Sequence, residues 1–372
     1  MDNLCSVNSR SLVLLVLTLA IAILLSLLHR SFLEIRVSNS TLSPIVSATK
    51  DVMDGTKRIG IIRCHYFDKS LVGIDDNDVG TTDGSTSKQC SDILVLGVGT
   101  AMKVDDYDKL AASIVSTTGL SSLVVVISDS NPGIPIKLYA TEYARLLNGI
   151  RDQLDSNLIP GCTGQTYENF LIGGHSASGQ GALKAAQQEL YDVVPDGFVG
   201  LDPYDMTTLN VTSPLQFPTL NWGFTHNTAC LVPLNKAARG AYRATSSDSG
   251  RVLYLIDNEH NGISHCVFTD GGCIPVVCPT IENPAGLYSQ LGESIHSFVN
   301  ALKTEGRPFT KKNFELPSTI PGGANVTLFV NSDVVDDNAD DNSSVWGSDG
   351  DGGGESAGKS IDNDIDTDHS RE

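Results

Sequence analysis

Apolar residues in this chain fall into short, mainly apolar runs separated by stretches of helical spacing. Runs at 58–64, 92–100, 123–128, 167–171, 197–202, 219–223 and 251–256 read as strands, the last of them closing the series. Between them, 106–116, 136–158, 182–191 and 287–302 carry apolar positions three and four apart, which predicts helices. Leu138, Tyr143, Leu146, Leu147, Ile150 and Leu154 mark the buried stripe of the longest early helix. Strands that are apolar on both faces and alternate with helices make a mostly parallel central sheet with helices on both faces. A single α/β domain over residues 57–306 is the expectation.

The flanks have a different composition. Residues 11–28 are uncharged and apolar, and no small-residue cleavage site follows them, so residues 1–30 read as a signal anchor ahead of a cleaved signal peptide. Residues 31–56 are polar and read as a stalk, and 307–330, rich in proline and glycine, as a loosely packed extension. Residues 331–372 read as a disordered acidic tail. From Asp333 onward the chain has thirteen acidic residues against Lys359 and Arg371, which is −11 of the net −19. That balance argues against nucleic acid as a partner. Sequons at Asn39, Asn210, Asn325 and Asn342, and seven cysteines beyond the apolar segment, point to a membrane-associated protein of the secretory pathway with a lumenal or extracellular body. The group Cys266, Cys273 and Cys278 matches no zinc spacing, so local disulfides are expected and no metal or cofactor is.

The chemistry centres on Gly173-Gly174-His175-Ser176-Ala177-Ser178-Gly179, between a strand and a helix. Strand, tight small-residue turn bearing a serine, then helix is the context of a nucleophile elbow. Ser176 is the candidate nucleophile, with Ser178 standing where the motif has its second glycine and Gly179 one place later. The competing reading is a glycine-rich turn entering a helix.

A serine hydroxyl needs a histidine to take its proton and an acid to orient that histidine. In such a sheet these groups gather at the carboxyl ends of strands. His265, after the strand 251–256, is preferred over His260 because the glycine-bearing turn before it lets the ring fold back over the sheet edge. The loop after 219–223 holds no carboxylate, whereas Asp202 stands at the end of the strand before it, with Asp205 the runner-up. A turn or helix-capping role is the plainer reading of Asp202. Backbone amides of Ala177 and Thr100 are the expected oxyanion donors.

With these parts in place the chain resembles the chlorophyllase family, in the α/β-hydrolase superfamily near its dienelactone hydrolase-like esterases. Gly174-His175-Ser176-Ala177-Ser178-Gly179 matches four of the six places of the family's Gly-His-Ser-Arg-Gly-Gly elbow. Leu201-Asp202-Pro203 matches its acid segment, and Gly262-Ile263-Ser264-His265-Cys266 stands where the family has Tyr-Gly-His-Met-Asp. The resemblance covers residues 58–305 and departs at Ala177 and Ser178. It implies an α/β-hydrolase fold and hydrolysis of an apolar ester, the phytyl ester of chlorophyll or pheophytin, on a plastid-related membrane. Other expectations are a carboxylesterase or lipase acting on another ester, and a hydrolase-fold binding protein without catalysis. The apolar stretch 209–217 is a candidate lining for a greasy substrate.

Overall fold

The computed structural model describes residues 45–68, 90–100, 102–117, 123–129, 140–162, 167–204, 214–226, 237–259, 263–270, 285–304, 309–320, 323–331, 333 and 335. Their strands are β1 (Ile45–Asp54), β2 (Lys57–Phe67), β3 (Asp92–Gly97), β4 (Leu123–Asp129), β5 (Asn169–His175), β6 (Gly197–Leu201), β7 (Thr219–Phe224), β8 (Arg251–Ile256) and β9 (Val326–Val330). The helices are α1 (Asp108–Thr117), α2 (Ala140–Asp155), α3 (Ala177–Gln187), α4 (Ala237–Ala244), α5 (Ala285–Lys303) and the single turn α6 (Lys311–Phe314).

All nine strands join one sheet in the order β1-β2-β4-β3-β5-β6-β7-β8-β9. β3 to β8 pair in parallel, while β1, β2 and β9 run antiparallel to their neighbours. The central strands are mainly apolar because both of their faces are covered, and the polar residues they hold, such as Asp92, Asn169, Thr219 and Asn221, are buried as well. Ile93 and Val95 pack with Tyr143, Leu146 and Ile150 of α2 and Leu183 of α3. Leu94 and Leu96, facing the other way, pack with Leu110 and Ile114 of α1 and Leu291 and Ile295 of α5. The protein is therefore an α/β domain with a mostly parallel sheet and a core on each face.

β3 lies between β4 and β5, so the chain steps outward from it in opposite directions. At such a switch point the connections diverge from the carboxyl ends of the two strands and leave a crevice. Gly97 ends β3 and His175 ends β5, with Ser176 next in the chain.

Three expectations about boundaries are corrected. The stalk assigned to 31–56 contains β1, an edge strand joined to β2 by a tight turn in which Gly55 has φ 59°. Half-exposed edge strands carry little apolar signal, although Gly55-Thr56, between the paired Asp54 and Lys57, is a glycine-first two-residue hairpin loop. The extension assigned to 307–330 is not loosely packed: β9 pairs with β8, and Phe314, Ile320 and Ala324 are buried in the core. β8 is therefore not the last strand. Order also runs past 330, since the Tyr242 hydroxyl donates to the Asn331 carbonyl at 2.9 Å and Val335 is buried.

Smaller shifts concern the elbow, where β5 continues through His175 and α3 begins at Ala177 rather than at 182. α2 begins at Ala140; residues 136–139, expected to open it, lie outside the described residues, as do the anchor at 1–30 and the tail beyond 335. No helix among the described residues is long and apolar enough to cross a membrane.

Candidate active site

Ser176 joins β5 to α3 without an intervening residue, and its backbone shows the cost. It has φ 57° and ψ −124°, outside the regions that a residue with a side chain ordinarily adopts. Such strain persists only where surrounding contacts hold it. Here the Ser176 amide donates to Leu201 O at 3.2 Å, and its carbonyl accepts the Tyr204 amide at 2.9 Å and the Gln180 amide at 3.2 Å. The turn is thereby fastened to the carboxyl end of β6.

The close approach behind the serine is met by two glycines. A Cβ on Gly174 would stand 2.8 Å from the Gly179 nitrogen, and one on Gly179 would stand 2.8 Å from the Gly174 oxygen. The glycine displaced from 178 to 179 thus sits where helix and strand touch. Ser178 faces another way: its buried hydroxyl donates to the Val98 carbonyl on the turn after β3. A Cβ on Gly97 would collide with the Ser178 side chain, so glycine at 97 makes room for it.

Asp202 follows β6 with φ 45°, and its amide donates to Trp222 O at 2.7 Å, extending the ladder. His265 opens a 3-10 turn, His265–Phe268, that lies over the sheet edge. His265 Nδ1 and Asp202 Oδ2 are 2.6 Å apart, the carboxylate fully buried and the ring nearly so. Exclusion of water is the sole cause of two opposed shifts: Asp202 is raised well above the carboxylate range, and His265 is lowered to about 3. The hydrogen bond from Nδ1–H favours the ionised carboxylate against that burial. For the imidazole the direction is clear: it is neutral, and with Nδ1–H donated to Asp202 its acceptor is Nε2.

Asp202 and His265 are therefore brought together directly, whereas Ser176 is tied to them only through its backbone bond to Leu201 and through its neighbour His175, and no hydrogen bond joins its hydroxyl to either side chain. The His175 ring lies 4.3 Å from the His265 ring, centroid to centroid. Ala177 is the first residue of α3, where amides have no intrahelical acceptor. On the turn after β3, the Val98 amide donates to Ser128 O at 3.0 Å and the Gly99 amide to the Tyr107 hydroxyl at 2.8 Å. Thr100, exposed, carries the amide that neither bond uses.

His260 and Asp205 lie outside the described residues, and His296 on α5 is engaged with Asn300 Nδ2 at 2.8 Å. Of the apolar stretch 209–217, Leu215 and Phe217 pack into the core with α2 and α3 instead of lining a crevice, and 209–213 lie outside the described residues. Sequence reasoning missed two things. It passed over Tyr107 and gave His175 no role beyond its place in the elbow. It also did not join His226 to Asp257 and Glu259, whose ligand atoms lie within 4.8 Å of one another past β7 and β8. That cluster has the donor types for a divalent cation. Its His226 Nδ1 is already 2.9 Å from the Thr225 hydroxyl, however, and the Arg239 guanidinium donates to the Thr225 carbonyl nearby.

Cys90 and Cys162 form a disulfide, Cys266 is also disulfide-bonded, and Cys64 is a buried free thiol. Cys230, Cys273 and Cys278 lie outside the described residues. No protein-family model matches the chain, and none of the curated proteins matches it.

Proposed function

We propose that the chain is a serine ester hydrolase with an α/β-hydrolase fold. The observation that carries this reading is the strained Ser176 at the switch point of the sheet, beside a buried Asp202–His265 pair on later strand ends. Nucleophile, acid and base follow in the chain order Ser, Asp, His, which is that of α/β-hydrolases.

In this mechanism Ser176 Oγ attacks the ester carbonyl while His265 Nε2 takes its proton. Asp202 keeps the ring in the Nδ1–H tautomer and stabilises the imidazolium. The amides of Ala177 and Thr100 hold the developing oxyanion. Collapse expels the alcohol, which receives the proton from His265. Water, deprotonated by the same histidine, then attacks the acyl-enzyme and releases the acid and the free serine.

The substrate reading follows the elbow and the Leu201-Asp202-Pro203 segment, which resemble chlorophyllases: phytyl-ester cleavage of chlorophyll to chlorophyllide and phytol. One observation favours a second reading, an esterase for another lipid-like ester. Residues 177 and 178 are not the chlorophyllase Arg and Gly, and the Ser178 side chain is committed to the Val98 carbonyl.

Fluorophosphonate labelling of the wild type and Ser176→Ala tests the chemistry, with labelling lost in the variant. Labelling unaffected by Ser176→Ala, or absent from the wild type, rejects the enzyme. Chlorophyll a offered beside short p-nitrophenyl esters separates the two substrates, and turnover of the short esters alone rejects chlorophyllase.

A further inference from the structure

Tyr107 ends the 3-10 turn Val104–Tyr107 that leads into α1, and both it and His175 are buried. The Tyr107 hydroxyl lies 2.8 Å from the Gly99 amide and 2.7 Å from His175 Nδ1. On the far side of the ring, His175 Nε2 lies 3.0 Å from the His265 carbonyl oxygen. The protons can be assigned by elimination. A carbonyl only accepts, so His175 Nε2 carries hydrogen, and in a neutral ring Nδ1 is then an acceptor. Tyr107 therefore donates to Nδ1, and its oxygen accepts the Gly99 N–H. Each group has one partner in the right sense.

This chain of bonds touches three pieces of the proposed machinery at their backbones. Gly99 precedes the oxyanion residue Thr100, His175 precedes Ser176, and the His265 carbonyl belongs to the proposed base. Its fit is close, because a Cβ on Gly99 would stand 2.8 Å from His175 Nδ1. The His175 ring also packs against the His265 ring at 4.3 Å and edge-on against Phe268 at 5.8 Å. Burial holds the imidazole of His175 well below the usual histidine range and the phenol of Tyr107 well above its own. The proton pattern consequently persists across neutral pH.

We infer that Tyr107 and His175 are positioning residues that join the oxyanion turn, the serine elbow and the His265 backbone into one preset unit. The inference rests on the hydrolase reading. Neither residue touches the reacting atoms; each acts by holding a backbone in place, and an ångström of misplacement costs about a hundredfold in rate.

The test compares Tyr107→Phe, His175→Phe and His175→Gln with the wild type. It scores the rate of fluorophosphonate labelling at Ser176 and kcat and KM on a p-nitrophenyl ester, per folded molecule as judged by circular dichroism. Tyr107→Phe and His175→Phe are expected to slow labelling and lower kcat by about ten- to a hundredfold, with KM changed less than about threefold. His175→Gln keeps a donor for the His265 carbonyl and an acceptor for Tyr107, and is expected to recover most of the rate. In the wild type, histidine-ring NMR is expected to show one ring in the neutral Nε2–H tautomer from pH 5 to 9, assigned to His175 by its through-space contacts to the Phe268 ring, a reading that does not depend on variant folding. Wild-type labelling with all three folded variants reacting at the wild-type rate overturns the inference and leaves the hydrolase reading standing. So does a ring that titrates in that range. Absence of Ser176 labelling in the wild type overturns both.

Discussion

The Nε2 of His175 lies 3.0 Å from the carbonyl oxygen of His265, so the residue before the proposed nucleophile holds the backbone of the proposed base. The two loops are far apart in sequence and meet only because β5 and β8 end on the same edge of the sheet. The proposed chemistry is therefore assembled by strand order, and its parts can be tested one at a time.

Asp202→Asn is expected to keep the fold and lose activity. An amide that donates to Nδ1 forces the other tautomer, which removes the acceptor that the proposed mechanism needs for the Ser176 proton. In a working triad this costs about ten-thousandfold in kcat with little change in KM. Steady-state kinetics on a p-nitrophenyl ester checks it; a loss confined to KM would assign Asp202 to substrate binding.

The pH dependence follows from the burial of His265, whose protonated form cannot accept the serine proton. Burial lowers its pKa, so the inactive form appears only below the ordinary histidine value of about 6.5. The acid limb of kcat/KM is expected to lie below pH ~6. A limb at pH 7 or above would mean that the Asp202 charge outweighs the desolvation of the ring.

Gly179→Ala is expected to destabilise the domain by about 1–3 kcal/mol, as overpacking does. The added methyl would stand 2.8 Å from both the Gly174 oxygen and the Pro203 Cβ, and neither belongs to a flexible chain end. Ser178→Ala is expected to cost about 1 kcal/mol, through loss of one buried hydrogen bond. Urea unfolding of the two variants should rank them in that order.

Phe314 is fully buried, stacks on Phe309 with centroids 5.5 Å apart, and its carbonyl accepts the Tyr254 hydroxyl at 2.5 Å. Phe314→Ala is expected to cost about 3–5 kcal/mol. Ending the chain before residue 309 removes β9 and bares the β8 edge, so the shortened protein should aggregate. A soluble, cooperatively unfolding truncation would return this segment to the status of a loose extension.

Cys64 is fully buried on β2, and burial pushes its thiol up to about 12. Iodoacetamide at pH 8 should modify it only after denaturation, as peptide mass mapping of native and unfolded samples would show. Labelling of Cys64 in the native state would mean that β1 and β2 open readily.

The parallel strands were legible because their burial on both faces leaves a mainly apolar run with no polar–apolar alternation. Asp202 and His265 were legible because a carboxylate and a histidine just past such runs must lie on one sheet edge. β1 and β9 were not. Edge strands expose one side: β1 carries Lys50, Asp51 and Asp54 among its apolar residues, and β9 is a run of only five residues just after a proline- and glycine-rich stretch. Phe314 and Ile320 looked like isolated apolar residues among prolines until the sheet supplied the surface that they cover.

By itself, then, the chain determined the alternating order of elements, the strand-turn-helix around Ser176, and the edge on which the candidate residues fall. Periodicity and turn chemistry are local, and the rule that chemistry gathers at strand ends needs only chain order. Tertiary structure decided what depends on distance between remote segments: the 2.6 Å contact of His265 with Asp202, the use of Gly179 in place of a glycine at 178, and the bonds of Tyr107 and His175. A buried tyrosine and a buried histidine have no sequence pattern that names their partners, because the requirement that buried polar groups be paired is met in space and not along the chain.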